Sequence, residues 1–244
     1  MLSYQHPLCG EKNNSSENEI TRMEILIGTM AHTTARYEAE VSASARLIID
    51  TLHNAPGLVS ARFYRGQGLL PYYLFFTTWV DEENWQRARG HYNPGELLLS
   101  SASGLLTAPP EQWHMHYIWG YNRPALPSNL AAAHIASVSP DKAKTCQQEW
   151  LLALRQQAVL SLVGYSFLAC GERTNSSQRK DKAADSPEAN EEETVRISKS
   201  VFVNLFSWNS EADKRAFYAS SHYQTLDQLI RKLGNMRIMQ LEQL

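Results

Sequence analysis

One pattern occurs twice in this 244-residue chain: an apolar run that closes on a tryptophan, an acidic turn that opens a helix, and a His-Tyr pair after it. The first copy is LFFTTWVDEENWQRARGHY, Leu74 to Tyr92, and the second is VFVNLFSWNSEADKRAFYASSHY, Val201 to Tyr223. His91 follows Trp79 by twelve residues and His222 follows Trp208 by fourteen, so the copies differ by about half a helical turn. A repeat of this length restricts the chain to two copies of one structural unit, with the function placed inside the units. Two domains of about 110 residues can each bury a core.

Taken in order, residues 1–20 are polar, with a Lys-Asn-Asn-Ser-Ser-Glu-Asn run, and read as a disordered tail. The first unit is expected over residues 21–123. MEILIGTM, Met23 to Met30, is a short β-rich run, and the helix after it, Ala35 to His53, carries Val41, Ala45, Ile48 and Leu52 at helical spacing. Asn54-Ala55-Pro56-Gly57 breaks it. Leu58 to Arg65 and Tyr72 to Trp79 follow as strands, and Asp81-Glu82-Glu83 puts negative charge where a helix N-terminus favours it. Pro94-Gly95 interrupts the helical region, and Gln112 to Tyr121 is the fourth strand.

The Pro-rich joint Pro124 to Pro127 marks the domain boundary, and the second unit is expected over residues 128–244. Its first strand is Leu130 to Val138, and its first helix, Asp141 to Gln157, has Ala143, Cys146, Trp150 and Leu154 on one face. SLVGYSFLACG at 161–171 aligns with GLVSARFYRG at 57–66 through the Leu-Val, a later Phe and a closing Gly. Residues 172–195 form a charged, Ser-rich insertion, expected to be mobile. Leu226, Leu229, Ile230 and Leu233 give the last helix its stripe up to Gly234, and MRIMQLEQL is the last strand.

Each unit therefore reads β-α-β-β-α-β, a ferredoxin-like α+β sandwich whose sheet has helices on one face and an apolar face left open. Two such units in tandem can close those faces on one another, as in dimeric α+β barrel proteins. The net charge of -2 makes no electrostatic bid for nucleic acid or an anionic membrane. The chain starts without a basic region followed by an apolar run, and its three cysteines, Cys9, Cys146 and Cys170, lack paired close spacing, so a cytosolic setting is expected. A Gly-rich phosphate loop, a G-x-S-x-G elbow and an H-E-x-x-H pair are all missing from the sequence.

VNLFSWNSEADKRAFYASSHYQTL resembles the third-strand and second-helix signature of the antibiotic biosynthesis monooxygenase family: a strand, a Trp, an acidic helix start and a Ser-x-His-aromatic. The likeness is strongest to the branch that oxidises aromatic polyketides, where an Asn stands four residues before the Trp, as Asn204 does before Trp208. That branch has a Tyr six residues after the Trp and an Arg on the second helix, where this chain has Lys214 and Gln228. The resemblance implies a cofactor-free oxygenase of the anthrone-to-quinone type, acting on an aromatic polyketide and O2 in secondary metabolism. No metal and no flavin is implied, because the substrate supplies the electrons.

Strand alternation puts Phe202, Asn204, Phe206 and Trp208 on one face, against Tyr73, Phe75, Thr77 and Trp79 in the first half. Phe75 stands where the Asn stands in the second copy, which marks the first half as the structural mate. Asn204 and the Trp208 indole are the candidate hydrogen-bond donors to a developing oxyanion, and His222 is the candidate proton acceptor, with His134 second. Phe202, Phe206, His134, Tyr223, Trp79 and His116 are candidates for lining a substrate pocket. In QWHMHYIWGY, His114 and His116 share one strand face and Trp113, Met115, Tyr117 and Trp119 the other; a third ligand at metal spacing is missing. Bland readings stand beside these: a strand-ending Trp also serves as core filler, and His222 also suits a helix joint. Two other functions remain open: a non-redox polyketide cyclase, dehydratase or decarboxylase on the same fold, and a haem or small-ligand binding protein. A homodimer of such pseudo-dimers is a further expectation.

Overall fold

In the computed structural model, which describes residues 24–66, 70–123, 130–174 and 199–243, eight antiparallel strands close into one barrel. The first unit runs β1 (Ile25–His32), α1 (Glu38–Leu52), β2 (Leu58–Gly66), β3 (Tyr72–Trp79), α2 (Glu82–Tyr92), α3 (Pro94–Ala102) and β4 (Glu111–Asn122). The second runs β5 (Leu130–Val138), α4 (Pro140–Leu154), the one-turn α5 (Gln157–Leu160), β6 (Tyr165–Thr174), β7 (Ser200–Trp208), α6 (Glu211–Ala219), α7 (Ser221–Leu233) and β8 (Gly234–Gln243). Around the barrel the order is β1-β3-β2-β8-β5-β7-β6-β4, so each unit contributes a four-stranded ferredoxin-like sheet and the two sheets meet at two seams. The seams are unequal. β4 pairs with β6 from Gln112–Thr174 to Asn122–Tyr165, whereas among the described residues β2 and β8 share only Tyr64–Gln243, Arg65–Glu242 and Gly66–Leu241.

The helix starts follow from local chemistry. Asp81 caps α2 by accepting from the Asn84 N–H at 2.8 Å, and Ser210 caps α6 by accepting from Asp213 N–H at 3.0 Å. Pro94 does not merely interrupt: it is the first residue of α3, where its missing N–H costs nothing, and Asn93 caps it. Ser220 is the whole joint between α6 and α7, accepting from Tyr223 N–H at 3.2 Å.

Alternation then sorts the core into layers. Val201, Val203 and Leu205 point into the barrel lumen with Leu74, Phe76, Trp113, Met115 and Phe167. Phe202, Phe206 and Trp208 face α4, α6 and α7, where they meet Trp150, Phe217, Tyr223, Leu226 and Ile230. Tyr73 and Phe75 make the matching layer under α1 and α3, while Trp79 packs with Trp85 of α2.

Four expectations need correction. The strand expected from residue 161 begins at Tyr165, because Ser161 and Leu162 are in the turn after α5. The Phe alignment is one residue out: Phe63 pairs with Phe75 and Leu168 with Asn204, so Leu168 is the partner of Phe63, and Phe167 faces the lumen instead. The closing glycines do correspond under this register, Gly66 with Gly171. Each is required by close approach: a β-carbon would strike the Tyr72 ring at Gly66 and the His114 carbonyl at Gly171. Third, Trp119 does not share a face with Trp113 and Tyr117, since a bulge between Tyr117 and Trp119 turns it out toward the second helix layer. The expected insertion starts later than residue 172, because β6 continues to Thr174; the rest of it, the N-terminal tail and the joint at 124–127 lie outside the described residues. Among the described residues no helix is long and apolar enough to cross a membrane.

Candidate functional site

β7 and β5 are paired with Asn204 opposite His134, on the face turned to the helices. Asn204 is fully buried and fully engaged. Its amide nitrogen donates to Ser166 Oγ at 3.0 Å and to the Phe167 carbonyl, and its Oδ1 accepts from the Trp150 indole at 3.1 Å. Two N–H groups and two acceptors account for both its donors, so the side chain ties β6, β7 and α4 together. Trp208 is buried against Phe206, Phe217 and Tyr218, with ring centroids 6.1, 5.3 and 5.4 Å away. Burying an indole of about 200 Å² is worth about 5 kcal/mol before entropy, enough to hold it there for packing alone.

The polar centre of this layer is His134. Its Nε2 lies 3.1 Å from the Tyr218 hydroxyl, which in turn accepts from the Gln240 amide at 3.4 Å. The Tyr218 oxygen keeps a second lone pair beside the one that Gln240 uses, so which partner donates in the His134–Tyr218 bond is set by the imidazole tautomer. The imidazole is boxed by Phe206 and Tyr223 edges at 5.0 and 5.5 Å and lies stacked at 5.9 Å on Tyr218. Burial, helped by the Arg231 charge, drives its pKa down to about 3, so the ring is neutral and an acceptor throughout the physiological range. Burial pushes the Tyr218 hydroxyl up to about 12, and it raises Tyr223 too, reinforced by Tyr218 and Asp227. Both phenols therefore stay protonated. The Tyr223 hydroxyl, with its residue only 6% exposed, has no hydrogen-bond partner among the described residues, and neither does Gln240 Oε1.

The structure brings Phe206, Trp208, His134 and Tyr223 into one cluster, with Phe202 and Asn204 beside it around Trp150. It leaves His222 outside. That imidazole is exposed in the first turn of α7, because the cap at Ser220 turns Tyr223 inward and its neighbour to solvent. His116 is also exposed, and its neighbour His114 reaches Glu82 at 2.7 Å. Among the described residues no group of three or more His, Cys, Asp or Glu side chains could hold a metal. Trp79 is sealed in the first layer, its indole donating to Thr77 Oγ1 at 3.0 Å.

Tyr218 and Gln240 were not singled out by the sequence. Tyr218 lies on α6 rather than in the strand pattern, and Gln240 reads as an ordinary polar residue of a last strand. An alignment of the two copies points to the site all the same. Strand register makes Thr29 the first-half counterpart of His134. Thr29 accepts from Gln112 at 3.1 Å and Gln112 also donates to Asn93 at 2.6 Å, while the Tyr73 hydroxyl donates to the Glu38 carbonyl at 2.7 Å. The first layer thus satisfies its polar groups internally; the second keeps a buried imidazole and an unmatched phenol.

No family model matches the chain, and no curated protein matches it in sequence. Solved structures do. A candidate monooxygenase of Fusobacterium nucleatum superposes with a TM-score of 0.63 at 7% identity, covering 92% of this chain and 94% of that one. An anthrone oxidase-like protein gives a TM-score of 0.60 at 11% identity over 92% of both chains. The fold is that of these proteins. A candidate monooxygenase of Lactobacillus acidophilus matches at 0.57 and 8% identity, over 91% of this chain and 94% of its own. Identities this low establish the architecture, so the chemistry has to be argued from the side chains.

Proposed function

We propose that this chain is a cofactor-independent oxygenase of the anthrone-to-quinone type, or a closely related tailoring enzyme, working in the sheet–helix layer of its second half. The observation that carries the reading is a neutral histidine, His134, hydrogen-bonded to Tyr218 and flanked by the unmatched Tyr223 hydroxyl inside a wall of aromatic rings. Such a wall suits a flat, fused-ring molecule. The structural likeness to an anthrone oxidase-like protein over 92% of both chains supports it.

The roles follow from donor and acceptor capacity. Tyr223, held protonated and without a competing partner among the described residues, donates to the substrate oxygen where enolate charge develops. His134 takes the substrate's ring-CH2 proton through Tyr218, and enolate charge beside it raises the imidazole's affinity for that proton. The enolate passes one electron to O2, the radical pair combines to a hydroperoxide, and loss of water leaves the new carbonyl. One O2 is consumed per CH2 converted to C=O, one oxygen atom leaving as water. Asn204, its donors engaged, holds Trp150 and β6 in place behind the site.

An anaerobic incubation separates this reading from a cyclase, dehydratase or decarboxylase that uses the same His134–Tyr223 cluster. An oxygenase makes no product without O2, and its activity falls at least tenfold in Tyr223→Phe; product formed under nitrogen would replace it with the non-redox reading.

A further inference from the structure

The barrel lumen is closed by side chains through most of its length, but at the end where β4, β7 and β8 begin it opens into a cavity of about 200 Å³. That is room for several water molecules, or for one monocyclic ring. Its floor is apolar, made by Trp113, Ile135 and Val201, which belong to the lumen layer. Its rim is charged. Arg173 approaches Glu111 Oε1 at 3.5 Å and Arg237 approaches Glu111 Oε2 at 3.3 Å, so among the described residues one carboxylate serves two guanidiniums and a positive charge is left over. Arg237 also lies 5.6 Å over the Trp113 ring, and Ser137 and Asn235 add hydrogen-bonding groups to the wall. The nearest imidazole does not alter this balance, because burial lowers the pKa of His32.

The rim is a product of divergence between the two halves. Thr29 pairs with Gln112, and its counterpart His134 pairs with Ile238, which makes Glu111 and Arg237 corresponding positions in β4 and β8. In a symmetric assembly one residue type would meet itself across the barrel axis. Here opposite charges meet, beside a second arginine from β6.

We propose that this mouth binds a small organic carboxylate with a planar apolar body. Its carboxylate replaces that of Glu111 between Arg173 and Arg237, where bidentate pairing favours a planar anion, and its ring lies on Trp113. The site is separate from the His134 cluster: Ile135 and Val201 point into the lumen, while His134 and Phe202 on the same strands point to the helices. The occupant is therefore a second small molecule, and the proposal stands apart from the oxygenase reading.

Calorimetric titration of the full chain with benzoate tests it, with inorganic phosphate as the comparison anion. Benzoate is expected to bind at one site per chain. Glu111→Gln, which removes the internal competitor, should tighten it by roughly tenfold, and Arg237→Gln should weaken it by tenfold or more. All three rim residues are partly exposed, so the variants keep the fold, as their melting temperatures will report. Failure of benzoate to bind both the wild type and Glu111→Gln, unchanged affinity in Arg237→Gln, or phosphate binding as tightly as benzoate would each overturn the proposal.

Discussion

His134 makes the stability of the protein depend on pH in a way that can be worked out from its surroundings. The folded imidazole has a pKa of about 3 against an ordinary 6.5, because it is buried and the Arg231 cation bears on it. The unfolded chain therefore binds the proton first. Stability from this group is complete above pH 6.5 and is lost as pH falls toward 3, at 1.36 kcal/mol per unit. At pH 4.5 the loss is roughly 3 kcal/mol, a sizeable part of the ~5–15 kcal/mol that holds a domain together. His134→Gln keeps an acceptor for the Tyr218 hydroxyl and cannot titrate. Urea unfolding of both proteins at pH 7.5 and 4.5, followed by tryptophan fluorescence, should show the variant gaining about 3 kcal/mol on the wild type between the two. Parallel losses, agreeing to within about 0.5 kcal/mol, would refute the burial argument.

Other substitutions separate packing from chemistry. Tyr223→Phe removes a hydroxyl that has no partner among the described residues, so thermal unfolding should be unchanged or raised by up to about 1 kcal/mol, and a clear destabilisation would mean the hydroxyl is paired. Asn204→Ala strips the Trp150 indole and the Phe167 carbonyl of their partner and should cost about 2–4 kcal/mol by urea denaturation; less than about 1 would show that the network is not structural. Gly171→Ala drives a methyl into the His114 carbonyl across the long seam, with an expected loss of about 1–3 kcal/mol and a melting temperature that falls accordingly.

Much of the barrel was legible because strand alternation is a strict rule. The inward turn of Val203 and Leu205 and the outward turn of Phe202, Phe206 and Trp208 follow from period two alone, and β3 and β5 have the bounds read from the sequence. Errors arose where one residue shifts that period. The bulge before Trp119 and the one-residue offset between Phe63 and Phe167 have no signature in composition, because a Phe is acceptable on either face. The site was half legible. His134 and Tyr223 stand out as polar groups at buried positions, whereas His222 attracted notice through its motif and is turned to solvent by the Ser220 cap. Tyr218 and Gln240 join the cluster only through tertiary packing of α6 and β8 onto β5.

The central claim is that the second half carries out metal-free oxidation of an aromatic CH2 with His134 and Tyr223. Oxygen-electrode measurement with an anthrone, in the presence of a chelator, tests it most directly. One O2 consumed per quinone formed is expected, at a rate that falls at least tenfold in His134→Gln and in Tyr223→Phe while Thr29→Val in the first half leaves it unchanged. Absence of oxygen uptake by the wild type, or equal uptake by all three variants, would contradict it.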